Sequence, residues 1–359
     1  MHLAHLRLRD FRNYAYLDVD FGPGLHLLLG PNAQGKTNVL EAIYLLATLR
    51  SFRGVGGAQM VRQGAKGYFV GATISATAEH DIKIYWSVPE RKLTLDGTPV
   101  KRLSDFFGIF RAVVFCSEDL FLVKGPGSRR RRFLDLLLAQ SQPVYLPLLQ
   151  RYAQALRARN ALLKQRSYDP DALEGFSQEV VNCGTQITEF RRQLLPKLAP
   201  LAARAYARIA RDQERLDLEY RPSVKANFAV ELAQARSREQ TFRSTIIGPH
   251  RDELQLSLNG RSAGQFGSEG QKRSIAIALK MAQAEFLTDV HGSPPVLLID
   301  DIMGELDASR RAGFLPLLHR SGPAQGQVFM TATEENWAAE LGEGLIRWEV
   351  KQGTVKRVK

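Results

Sequence analysis

The stretch LHLLLGPNAQGKTNVLEAIYLLA, residues 25 to 47, constrains this chain more than any other. Leu25 to Leu29 is a short apolar run suited to a buried parallel strand. It runs into Gly30, Pro31, Asn32, Ala33, Gln34, Gly35, Lys36, Thr37 and Asn38, which contain the pattern G-x-x-x-x-G-K-[ST]. Val39, Leu40, Ile43, Leu46 and Ala47 then recur at helical spacing. Strand, glycine loop and helix in that order make a phosphate cradle. Glycines let the backbone N–H groups turn inward, and the helix dipole favours negative charge at its start. Lys36 is expected to reach the β- and γ-phosphates, and Thr37 to ligate Mg²⁺ through its hydroxyl. The cofactors expected from this stretch are a nucleoside triphosphate, ATP or GTP, and Mg²⁺.

A second acidic motif fits the first. In SPPVLLIDDIMGELD, Val296 to Ile299 reads as another buried strand, ending in Asp300 and Asp301. Asp300 is expected to hold Mg²⁺ with Thr37, and Asp301, with Lys36, to serve hydrolysis by orienting the attacking water. Just upstream, GQFGSEGQKRSIAIALKMAQAEF places Ser268, Gly270 and Gln271 at the start of an amphipathic helix. A serine at a helix start makes an anion site without a lysine.

Loop, acidic pair and serine-tipped helix together resemble the ABC ATPase superfamily, whose signature is S-x-G-Q. Gly304-Glu305-Leu306-Asp307 resembles its D-loop. The resemblance implies that Ser268, Gly270 and Gln271 contact ATP held by a second copy, so that ATP joins two heads into a homodimer. Two parts of the pattern are missing. The junction FCSEDLFLVKG has no glutamine, leaving Glu118 as a stand-in, and no histidine follows QVFMTAT, leaving Thr331 or Thr333 to sense the γ-phosphate. Slow hydrolysis is expected in consequence.

Organisation along the chain separates the families within that superfamily. YFVGATISA, IKIYWSV and KLTLDGTPVK read as strands, with an Asp96-Gly97 hairpin turn. From about Ser128 the period changes to 3.6 and stays helical to about Arg211, with Pro196 and Pro200 expected to kink or break the last helix. The expected fold class is α/β, a two-lobed ATPase head with an antiparallel β part. Residues 1–122 and 241–359 would form the head and 123–240 an inserted helical lobe that faces DNA or a second copy. That insertion is too short for an SMC coiled coil. FRNY (11–14), RSFRG (50–54), SEDLFLVKGPGSRRRRFLD (117–135), GPHRDEL (248–254) and NGRSAGQFGSEGQKR (259–273) are similar to segments of the RecF family. Membership would imply ATP-dependent binding of single-stranded, gapped or junction DNA. It would also imply work with RecR and RecO in loading RecA, roles in replication and the SOS response, and a cytoplasmic location.

Charge agrees with a polyanionic partner. The 359 residues carry 49 Lys plus Arg against 37 Asp plus Glu, a net charge of +12. Residues 121–240 alone hold 21 basic and 12 acidic side chains. Arg129, Arg130, Arg131, Arg132, Arg157, Arg159 and Lys164 are the candidates for DNA phosphates, with Arg191 and Arg192 on further positive faces. Arg12 is expected at the nucleotide phosphates, while His250 and Arg251 either sense the neighbouring ATP or hold a lobe junction. Only Cys116 and Cys183 are present, widely spaced, which argues against a zinc site or disulfide framework and suits a reducing compartment. No apolar run is long enough to span a bilayer. The alternative is a transporter-type or other ABC subunit that couples ATP to a protein partner without DNA. A fold-stabilising nucleotide in a structural DNA-binding protein is another, and a nuclease is disfavoured for want of a second metal constellation.

Overall fold

The computed structural model describes residues 1–88, 90–210, 214–320, 326–334, 341 and 344–358. Strands β1 (His2–Phe11), β2 (Tyr14–Asp20) and β3 (Gly24–Leu29) lead into helix α1 (Lys36–Thr48). Four further strands follow: β4 (Gly67–Ser75), β5 (Glu79–Ser87), β6 (Arg91–Leu95) and β7 (Thr98–Pro99). With β1 and β2 they form an antiparallel sheet in the order β2-β1-β4-β5-β6-β7. Asp96 and Gly97 turn the last hairpin with positive φ at both positions, as their sequence predicts.

The central sheet is assembled from distant segments. Strand β8 (Ala112–Phe115) joins β12 (Val296–Asp300), β13 (Gln327–Ala332), β14 (Leu345–Lys351) and β15 (Thr354–Arg357). Its order is β15-β14-β3-β13-β12-β8, parallel except at β15. Because side chains alternate along a strand, the sheet feeds two cores. Leu28, Val114, Leu298 and Phe329 pack with α1 and the antiparallel sheet. Leu27, Val113, Leu297 and Val328 pack with the helices on the other face. Nearly every residue of α1 is buried, as expected of a helix held between two sheets.

Those helices are α2 (Phe121–Lys124), α3 (Gly127–Ser141), α4 (Tyr145–Leu163), α5 (Pro170–Ala210), α6 (Phe228–Gln234) and α7 (Arg236–Phe242). A small sheet of β9 (Leu216–Arg221), β10 (Glu253–Leu258) and β11 (Arg261–Ser262) packs beside α5. Then come α8 (Ala263–Phe266), α9 (Glu269–His291) and, after β12, α10 (Ala308–Arg320). The core of α3 to α6 is continuous with that of α9 and the parallel sheet. Among the described residues no helix is long and apolar enough to cross a membrane.

The expected break at Pro196 and Pro200 is absent, for α5 runs through both. Both prolines are exposed, while Leu194, Leu198, Leu201, Ala202 and Ala205 on the other side are buried. Each proline removes an N–H to the carbonyl four residues back, here on the solvent side, where water donates to that carbonyl. The packed face therefore keeps the helix together.

Candidate nucleotide site and its supports

The glycine loop is held by its neighbours in space. Gly30 has φ +153°, and a Cβ there would lie 2.3 Å from the carbonyl oxygen of Val350 on β14. Gly35, at φ +115°, precedes α1, and its Cβ would meet the side chains of Asn13 and Tyr14 within 2.8 Å. The hairpin between β1 and β2 thus braces the loop. Tyr14 donates its hydroxyl to the Gly35 carbonyl at 3.1 Å, and Asn13 Nδ2 donates to the Gln34 carbonyl at 2.9 Å. Asn38 Nδ2 donates back to Asn13 Oδ1 at 2.7 Å. From the other side, the Gln352 N–H donates to Gln34 Oε1 at 2.7 Å. Gln34 in turn reaches the Asn32 carbonyl, and Ala33 takes the left-handed conformation at φ +63°.

No side chain caps α1, so its first N–H groups are left for an anion. Lys36 Nζ donates to the carbonyls of Gly30 and Pro31 at 2.6 and 2.9 Å, spanning the loop. Burial lowers its pKa, against the pull of Asp301 and Asp300. Thr37 donates its hydroxyl to Asp300 Oδ1 at 2.7 Å, and Thr331 on β13 donates to the same oxygen at 3.0 Å. Thr331 Oγ1 also accepts the Asp301 N–H at 3.0 Å. Burial raises the Asp300 pKa, hydrogen bonds from both threonines oppose it, Glu118 adds to it and Arg53 offsets it. Clustered hard oxygens of hydroxyl and carboxylate suit Mg²⁺, so Thr37 and Asp300 fit as its holders. Asp301 is exposed and sits at φ +57°, a conformation costly for a non-glycine residue and common at functional sites.

Glu118 lies in a 3₁₀ turn, Ser117–Leu120, just past β8, the neighbour of β12. Its charge adds to the rise in the Asp300 pKa. The next residue, Asp119, accepts the Cys116 N–H at 2.9 Å and pairs with buried Lys280 of α9 at 3.6 Å. Thr333 is exposed beyond the end of β13, whereas Thr331 is bonded to Asp300.

At the start of α9, Ser268 and Gln271 form a capping box. Ser268 Oγ accepts the Gln271 N–H at 3.2 Å, and Gln271 Oε1 accepts the Ser268 N–H at 2.6 Å. Gln271 Nε2 also donates to Glu214, which accepts the Tyr206 hydroxyl of α5. Gly270 lies under Arg310, whose Nη2 would be 2.7 Å from a Cβ. Arg310 reaches Ser274 Oγ at 3.1 Å, and its N–H caps on Asp307 at 2.9 Å. Signature and D-loop are therefore joined through one guanidinium. Ser268 itself is exposed.

Several basic residues serve the fold instead of the expected ligand. Arg12 is engaged with the fold. Its Nε and Nη2 donate to Glu41 at 2.7 Å each, and its Nη1 to the Gln59 carbonyl at 2.8 Å. Glu41 is fully buried in α1, so it needs that cation. Arg159 cannot reach DNA. It is 0% exposed and donates to Ser177, Thr245 and Glu239. It lies in the buried stripe of Leu148, Tyr152, Ala155 and Leu163, at helical spacing, and that stripe faces the core. Arg191 is likewise buried between Asp135 and Asp252.

The run of four arginines divides. Arg130 makes a two-point pair with Glu253 and bonds the carbonyls of Leu122 and Gly125. Arg131 donates to the Asp252 carbonyl. Arg129, Arg132, Arg157 and Lys164 are exposed. His250 accepts the Tyr152 hydroxyl at Nδ1 and donates from Nε2 to the Thr245 carbonyl, which is a junction role. Arg251 reaches the same carbonyl at 3.5 Å.

Sequence reading missed Asn13, Tyr14, Glu41, Arg53, Lys280 and Arg310. FRNY and RSFRG stand out as motifs, but motif spacing does not say which member touches the loop. The acid inside an apolar helix, Glu41, was the available signal that a buried cation must meet it.

The family model for the RecF/RecN/SMC N terminal domain matches residues 2–356. The DNA replication and repair protein RecF of Synechococcus sp. (strain JA-3-3Ab) is 40% identical over 377 residues, covering 99% of this chain and 97% of the relative. That of Lactococcus lactis subsp. cremoris (strain MG1363) is 35% identical over 362 residues, covering all of both. A solved structure of the recombination mediator protein RecF-ATP in the RecFOR pathway superposes with a TM-score of 0.91 at 30% identity, covering 100% of this chain and 98% of that one. An Smc head domain from Pyrococcus furiosus shares the fold at a TM-score of 0.59 and 16% identity. The glycine loop, acidic pair and signature helix thus sit in an α/β head of known kind, and the chain belongs to the RecF family of ATPases.

Proposed function

We propose that this ATPase binds DNA and works as an ATP-induced homodimer, with slow hydrolysis releasing the clamp. Each nucleotide lies on the glycine loop, residues 30–38, of one copy, and is completed by Ser268, Gly270 and Gln271 of the other. Mg²⁺, held by Thr37 and Asp300, supplies charge neutralisation at the phosphates. Lys36 answers the β- and γ-phosphates, and Asp301 orients the attacking water. Thr331 and Glu118 take the place of the usual γ-phosphate sensors. Residues 1–122 and 241–359 act as the head and 123–240 as the DNA-facing lobe, where Arg129, Arg132, Arg157 and Lys164 are exposed. Names of the relatives support a role in DNA replication and repair and the RecFOR pathway; partnership with RecR and RecO, delivery of RecA, the SOS response and a cytoplasmic location are part of the same proposal.

One observation carries the reading. Ser268 is exposed at a helix N-terminus, while its capping box, Glu214 and Arg310 fix that first turn rigidly. A preorganised anion site facing solvent is suited to phosphates brought by another molecule. Sedimentation with ATP, ADP or no nucleotide, with and without DNA, tests it. Wild type should dimerise with ATP, and Ser268→Arg should bind ATP but stay monomeric. Monomeric wild type under every condition overturns the clamp.

A further inference from the structure

Two arginines from separate segments of the chain meet at one seam, and neither is paired with an acid. Arg50 follows α1 and Arg132 lies on α3, and the charges of Arg50 and Arg129 both bear on Arg132. Arg132 lines three adjoining cavities. The first, about 420 Å³, lies between α3, α4 and α5 and includes Arg50. A second of about 360 Å³ opens toward the antiparallel sheet, with Arg50, Arg91 and Trp86 in its wall. The third includes Arg129. Of the carboxylates lining the first and third, Asp135 is engaged with Arg191 and Tyr145 and Asp119 with Lys280 and the Cys116 N–H, while Glu118, on the third, makes no ion pair with Arg129 or Arg132. Among the described residues no hydrogen bond or ion pair joins the Arg50 or Arg132 guanidinium to an acid. Gathering like charges in a half-enclosed seam costs free energy that a polyanion recovers.

The first cavity has a second character. Leu146, Leu149, Leu156 and Ile187 give it an apolar wall beside the cationic mouth. Its volume falls in the range of small-ligand sites. A phosphodiester at the arginines with an unpaired base against the apolar wall satisfies both halves. Free polyphosphate would use only the cations, and a paired base could not enter. We propose that the seam between α1, α3 and α4 seats one nucleotide of a single DNA strand, its phosphate on Arg50 and Arg132 and its base in the apolar cavity. This rests on the DNA-binding reading above and gives it a location.

The test uses the full chain with ATP and fluorescence anisotropy on an oligothymidylate of about fifteen nucleotides, the same length of abasic strand, and a duplex. Arg50→Gln and Arg132→Gln should each weaken oligothymidylate binding by about 3- to 10-fold and flatten the salt slope by about 0.7. Arg132→Lys should recover most of the loss. Arg215→Gln, at a position 81% exposed before β9, should change neither. Wild type should bind the abasic strand more weakly than oligothymidylate. Unfolding temperatures identify any variant that fails to fold, and Arg132→Lys then stands for the site. Wild type that binds oligothymidylate while both glutamine variants keep its affinity and slope overturns the seam alone. Equal binding of abasic strand overturns the base seat, and competition by inorganic tripolyphosphate equal to that of the strand overturns the strand as occupant. Wild type that binds no DNA overturns the DNA-binding reading itself.

Discussion

The Thr37 hydroxyl donates to Asp300 Oδ1 at 2.7 Å, joining the first turn of α1 to the end of β12 across 263 positions of sequence. Thr331 makes a second bond to the same oxygen and also holds the Asp301 N–H. Two threonines and a half-buried carboxylate thus set the metal end of the nucleotide site, and β13 supplies the link between both members of the acidic pair.

Asp300→Asn tests that arrangement. Turnover of ATP should fall on the order of 100-fold or more, because the metal loses its anionic holder. Stability should move the other way. Burial raises the Asp300 pKa, so the folded state binds its proton more tightly than the unfolded chain does. This term therefore favours folding below the ordinary aspartate value of 3.8 and opposes it as pH rises through the higher folded pKa. Asparagine removes that opposition, so the variant should melt at a higher temperature than wild type near pH 7. A lower melting temperature with undiminished turnover would contradict both halves.

Arg159 and Glu239 make a fully enclosed pair. Arg159→Met leaves Glu239 buried without its cation and should cost about 3–5 kcal/mol in urea unfolding. Arg159→Met combined with Glu239→Gln should lose clearly less. Salt dependence of DNA binding by the folded variants should match wild type, since the guanidinium never meets solvent. A reduced salt slope would return Arg159 to the DNA surface.

Two histidines, His26 buried and His250 half-buried, make the fold sensitive to mild acid. His26 accepts the Trp348 N–H at Nδ1 and donates from Nε2 to the Gly22 carbonyl, which holds it neutral. Burial lowers its pKa from 6.5 to about 4, and it lowers that of His250 to about 4 as well. The unfolded chain binds more protons between these values, so both contributions are complete above pH 6.5 and are lost as pH falls toward 4. The melting temperature should drop over that interval, and less steeply in His250→Asn. A flat profile between pH 6.5 and 4.5 would show that other groups compensate.

Much of the nucleotide site was readable because its chemistry is local. A glycine loop, the lysine after it and the helix it opens are contiguous, so residues 30–38 carry their own geometry. The same holds for the capping box of Ser268 and Gln271, whose members are three apart. Arginine roles were not readable in this way. Arg12 neutralises Glu41, a contact that motif spacing does not show, while the run 129–132 divides among an ion pair, a backbone carbonyl and solvent.

By itself the sequence determined the strand–loop–helix cradle, the acidic strand end and the switch to helical period near residue 128, each a matter of neighbouring residues and repeat. Tertiary structure alone decided which cations are buried, which threonine joins the acidic pair, and that α5 survives two prolines. Each depends on which face a neighbouring element covers. A covered face must satisfy every charge it encloses, whereas an open one leaves that to water.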